Sequence, residues 1–205
     1  MTFLDVKNEL EDFPVFSRRD IEMIDPSFHR QRLTEWQKKG YITKIRRGFY
    51  RFSDGELNEK ILFAIAGEIY SPSYISLQMV FSFYSLIPES VYEITSVTSR
   101  KTRTFDTPIA VFKYRHIKPQ LMFGYTPQDI GNRTYLMADV EKALLDFLYL
   151  NPDINDTSAF EQLRFNVSEW NERVDKRKLE RYLEAFENKA LKKRVESFLT
   201  YIDHA

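Results

Sequence analysis

A chain of 205 residues has room for one large domain or two modest ones. Its apolar share of 43% and charged share of 29% supply packed cores and exclude a disordered chain. Thirty Lys+Arg balance thirty Asp+Glu, so total charge names no partner, and the lack of cysteine excludes disulfides, thiolate metal centres and cysteine nucleophiles.

The start, Met1 to Phe16, is acidic rather than signal-like, and the richest apolar run, Ile61 to Ala66, is far shorter than the roughly 20 residues of a membrane span. A cytoplasmic protein without a membrane partner is therefore expected. Phe3, Val6, Leu10 and Phe13 fall at helical spacing and predict a first helix that Pro14 ends. Ser17, three residues before Asp20, forms a capping-box pattern for a short second helix containing Ile21 and Ile24. Asp25 and Pro26 read as the start of a third helix running to about Lys39, where Gly40 can end it in the left-handed conformation.

Between Tyr41 and Phe52, β-type residues on both sides of Arg46-Arg47-Gly48 predict a hairpin. Three helices followed by a basic hairpin is the order of a winged helix-turn-helix, assigned to residues 1–53. From Ser27 to Ser53 the bases are Arg30, Arg32, Lys38, Lys39, Lys44, Arg46, Arg47 and Arg51, and Glu35 is the only acid.

Projected at about 100° per residue, the third helix places Phe28, Leu33 and Trp36 inward and Ser27, Arg30, Gln31, Thr34 and Lys38 outward, with His29 nearer the core. The outward set suits DNA. Arginine pairs with guanine and glutamine with adenine in the major groove, and Ser, Thr and Lys hold phosphates. Hairpin residues Lys44, Arg46 and Arg47 would reach backbone or minor groove.

Residues 54–205 predict a mixed α+β domain with a central sheet and C-terminal helices, so the fold class is α+β. Leu57 to Tyr70 and Ser76 to Leu86 read as helices, and Ile94 to Val97, Ile109 to Tyr114 and Arg133 to Met137 as strands. Helices follow over Asp139 to Leu150, after a capping box at Ser158 to Glu161, and over Asp175 to Phe186 and Asn188 to Ile202. A basic strip of Arg100, Lys101, Arg103, Lys113, Arg115, His116 and Lys118 is a second surface that sheet strands can gather on one face.

The run from Trp36 through Gly40-Tyr41-Ile42-Thr43-Lys44-Ile45-Arg46-Arg47-Gly48-Phe49 to Tyr50 resembles the DNA-binding domain of AbiEi-type antitoxins of bacterial toxin-antitoxin and phage-defence systems. Tyr74-Ile75-Ser76-Leu77, Gly124-Tyr125 and Glu141-Lys142-Ala143-Leu144-Leu145-Asp146 are similar to that family's second domain, and the resemblance spans about Phe13 to Leu150. Ser85 departs from it where glycine is expected before Leu86-Ile87-Pro88, as does Asp139-Val140 before the Glu-Lys pair.

The resemblance implies an N-terminal domain repressing its own operon at inverted repeats in double-stranded DNA, with a possible dimer on the DNA. It also implies a second domain countering a nucleotidyltransferase-like toxin without a stable complex. No catalytic residue, cofactor or metal is expected. Two other classes stay open: a nuclease or nucleotide-transfer enzyme using Glu141, Asp146 or other carboxylates, and a protein-interaction module. Within the helix Glu141 suits the first turn and Asp146 can pair with Lys142, the structural alternative to catalysis.

Overall fold

A computed structural model describes residues 1–89, 91–131 and 133–204. Thr2 and Asp5 exchange capping bonds at the start of helix α1 (Phe3–Leu10), which buries Val6 and Leu10. The helix stops short of the expected Phe13, because a residue before proline is driven out of the α region. Phe13 instead lies under the Arg133 guanidinium, 3.4 Å from its ring centroid.

Strand β1 (Phe16–Ser17) leads into α2 (Arg18–Ile24), and Ser17 and Asp20 form the expected capping box. Helix α3 (Gln31–Lys38) starts later than the sequence predicts. Asp25 does not cap it: its carboxylate accepts from the Ser27 amide at 3.0 Å and the Ser27 hydroxyl at 2.6 Å, closing a turn after α2. Gly40 takes φ +72 and Gly48 φ +88, ending α3 and turning the hairpin of β2 (Ile42–Arg46) and β3 (Phe49–Phe52).

The remaining elements build an α+β fold on a mixed six-stranded sheet of order β6-β7-β5-β4-β9-β8. Its strands are β4 (Ser73–Ile75), β5 (Glu93–Thr98), β6 (Arg103–Asp106), β7 (Val111–His116), β8 (Tyr125–Ile130) and β9 (Arg133–Ala138). Helix α4 (Glu59–Ile69), capped by Asn58, covers one face: the Tyr114 hydroxyl donates to Ala66 O at 2.7 Å, and Phe63 meets Tyr135 edge-on at 5.4 Å. Helices α5 (Gln78–Phe83) and α6 (Val140–Leu150) lie on the other.

Against α6 stand α7 (Thr157–Gln162), α8 (Val167–Arg173), α9 (Lys176–Ala185) and α10 (Lys189–His204), joined by a knot of Phe160, Phe165, Trp170 and Phe198 rings. Asp156, not Ser158, caps α7, and α8 was not foreseen. No helix among the described residues is long and apolar enough to cross a membrane.

Buried residues form two clusters. The smaller gathers Val6, Leu10, Phe16, Ile21, Leu33, Trp36, Ile42, Tyr50 and Phe52. The larger fills both faces of the six-stranded sheet and also takes Val15 and Ile45. The sheet of order β1-β3-β2 is thus a wall between them, with one side lined by α1 to α3 and the other turned to the larger body.

Candidate nucleic-acid interface

Helix α3 is anchored by Leu33 and Trp36, 2% and 5% exposed. With these inward, Gln31, Thr34 and Lys38 share the outer stripe at spacings of three and four, and all are exposed. Arg30 is exposed at the N-cap position rather than inside the helix. Ser27 lies before the helix with its hydroxyl engaged by Asp25, so it does not belong to the stripe. His29, expected toward the core, is exposed because the segment before Gln31 is a turn and not helix. Glu35 is exposed on the same flank and subtracts one charge from it.

The hairpin register separates the basic residues that the sequence groups together. Lys44 pairs with Tyr50, a member of the smaller core, so it stands on the α3 side of the sheet and is exposed. A bulge between Lys44 and Arg46 then sets Arg46 opposite Phe49, which packs toward the larger core. The Arg46 guanidinium lies 4.9 Å from the Phe49 ring centroid and 4.6 Å from that of Phe105 on β6. Burial pushes its pKa down; Tyr114 opposes this, and Arg100 and Arg103 reinforce it.

Arg46 is therefore a partly buried joint between hairpin and sheet, not a free tip as expected, and Arg47 alone is exposed at the turn. Neither Arg30, Lys38, Lys44 nor Arg47 is ion-paired among the described residues. An outward row of unneutralised cations beside neutral amide and hydroxyl donors can hold phosphates and read base edges.

No known protein-family model matches the chain, and no curated protein matches it in sequence.

The carboxylates of α6 do not converge. Asp146 accepts from the Tyr74 hydroxyl at 2.8 Å, from the Ser76 hydroxyl at 2.9 Å and from the Lys142 ammonium, with both ends of that ion pair fully buried. Glu141 points elsewhere, accepting from the Asp175 amide at 2.8 Å and facing Lys178 at 3.4 Å. These bonds tie α6 to β4 and to the start of α9, roles that the sequence anticipates only as helix-dipole and ion-pair contributions. Burial pushes the Lys142 pKa down and the Asp146 pKa up, against their mutual attraction.

The basic strip also divides, because side chains alternate along a strand. Phe112 and Tyr114 point to the α4 face of β7, leaving Lys113 and Arg115 on the other. Lys113 pairs with Glu93 at 2.5 Å, and Arg115 donates to Leu150 O at 2.8 Å. Arg100, Lys101, Arg103, His116 and Lys118 remain exposed, and the first four line one open pocket.

Proposed function

We propose that this chain is a DNA-binding transcriptional regulator. In this reading residues 1–53 act as a winged helix-turn-helix and residues 54–205 as the antitoxin-like domain. Helix α3 enters the major groove, presenting Arg30, Gln31, Thr34 and Lys38, while Lys44 and Arg47 of the hairpin reach the flanking backbone. Ser27 and Arg46 act indirectly, by holding the turn before α3 and the base of the hairpin.

The observation that carries this reading is the outer stripe of α3, which stays exposed and whose cations form no ion pair among the described residues, while Leu33 and Trp36 fix the helix from behind. The sequence resemblance to AbiEi-type antitoxins extends it to a repressor of its own operon at an inverted repeat that counters a nucleotidyltransferase-like toxin.

Fluorescence anisotropy with the duplex upstream of the gene tests the interface. Lys38→Ala and Arg47→Ala should weaken binding to every sequence and each reduce the log-log salt slope by about 0.9. Arg30→Ala and Gln31→Ala should instead change which base substitutions are tolerated, by about 1–3 kcal/mol per position. Unaltered affinity across all four variants would remove α3 and the hairpin from the interface. Rescue of growth on co-expression with a toxin encoded beside the gene tests the antitoxin role.

A further inference from the structure

Behind the hairpin, cations gather that form no ion pair among the described residues. The rings of Tyr70, Phe105 and Tyr114 pack together, with centroids 5.5 Å, 4.9 Å and 5.8 Å apart. Arg46 covers Phe105 at 4.6 Å and Arg100 covers Tyr70 at 4.3 Å. Arg103 pairs with Tyr114 across β6 and β7, so its side chain leaves the sheet on the same face as these rings.

The turn carrying Arg100 and Lys101 is held at several points. The Tyr70 hydroxyl donates to Lys101 O at 3.0 Å, Arg100 Nη1 donates to Ser71 O at 3.1 Å, and His116 Nδ1 lies 2.9 Å from Arg100 O. The His116 amide donates to Thr102 Oγ1 at 3.1 Å. The result is a preorganised open pocket of about 650 Å³, lined by Tyr70, His116 and residues 99–103.

None of Arg46, Arg100, Lys101 and Arg103 is ion-paired among the described residues, and no carboxylate lines the pocket. Asp106, at the other end of β6, is about 10 Å away along the strand. Like charges held together on an anchored turn repel one another, and an anion bound among them removes that cost. Forked guanidinium donors beside an ammonium match the oxygens of a phosphate better than those of a single carboxylate.

We propose that this turn is a phosphate-binding site, distinct from α3, in which Arg100 and Arg103 donate to the oxygens, Lys101 supplies a point charge and Arg46 adds its field from behind. The phosphate comes either from the backbone of a bound duplex or from a free phosphate compound, and the site goes beyond the reading of α3 because it does not depend on it.

The test uses the full chain and the double variant Lys101→Gln/Arg103→Gln, which removes two exposed charges and leaves the Arg100 contacts with Tyr70 and Ser71 in place. Calorimetric titration with sodium pyrophosphate, and duplex binding as a function of salt, are measured side by side. A loss of pyrophosphate affinity of about tenfold with an unchanged duplex salt slope assigns a free phosphate compound. A fall of about 2 in the salt slope assigns the duplex backbone.

If the double variant changes neither quantity, the site is overturned. Arg30→Ala/Lys38→Ala serves as the control: it should leave pyrophosphate binding as in the wild type whatever it does to duplex binding. A failure of the α3 interface and a failure of this pocket are therefore read on different variants.

Discussion

Lys142 has no exposed surface, yet its ammonium sits among the rings of Tyr74, Phe123 and Phe186 at 5.7 Å, 5.0 Å and 4.8 Å, held by the Asp146 carboxylate. Gly124 makes room for it: a Cβ there would come within 3.0 Å of the Lys142 side chain and 2.8 Å of Tyr182. Removing one partner leaves an uncompensated buried charge, so Asp146→Ala should cost about 3–5 kcal/mol in urea denaturation. Lys142→Met/Asp146→Leu should recover only part of that loss: the apolar pair leaves no charge to desolvate, but the buried Tyr74 and Ser76 hydroxyls lose the acceptor they share. A loss below about 1 kcal/mol for Asp146→Ala would mean that this carboxylate, with its bonds from Tyr74 and Ser76, does not hold α6 to β4. The i to i+4 pairing itself is legible from sequence. Its burial is not, because Tyr74 and Ser76 lie far away in the chain and reach Asp146 only through the sheet.

At the level of single elements, caps and stops decide the boundaries. The box at Ser17 and the glycine after α3 follow from spacing alone, since each satisfies amides or carbonyls of its own helix. Asp25 and Ser158 show the limit of that logic: two aspartates compete for neighbouring amides, and local geometry selects a turn at Asp25 and the cap at Asp156. Strand β4 escapes sequence reading because three buried residues are too few to show a period.

The end of α5 carries a separate strain. Ser85 takes φ +57, and the amide after it, on Leu86, closes back on Phe81 O at 2.7 Å. Glycine, which the family resemblance leads one to expect there, adopts this conformation without the clash of a Cβ. Ser85→Gly should therefore raise stability by about 1 kcal/mol, read as a higher urea midpoint at unchanged slope. A lower midpoint would show that the exposed serine makes up for its backbone.

For the molecule as a whole, the question is whether the two cores unfold together. Each holds one of the two tryptophans, Trp36 in the smaller and Trp170 in the larger. The wall between them is shared: Val15 and Ile45 reach the larger core, Arg46 rests on Phe105, Arg133 on Phe13, and Lys7 pairs with Asp54 at 2.5 Å. In the single-tryptophan variants Trp36→Phe and Trp170→Phe, the urea midpoints by fluorescence should coincide with each other and with circular dichroism. An earlier transition for the Trp36 signal alone would make residues 1–53 an independent unit.

What the sequence by itself determined is whatever depends on neighbours a few residues away. The amphipathic stripe of α3, the Ser17 cap, the hairpin turn and the α6 pairing belong here, because helix and strand periods project directly from residue spacing. Tertiary structure alone decided which charges are free. The bulge turned Arg46 toward Phe105 while Lys44 stayed exposed, and the pleat of β7 sent Lys113 and Arg115 away from Arg103. A cation's availability depends on the residues opposite it in the sheet, and those partners are set by register and burial rather than by order in the chain.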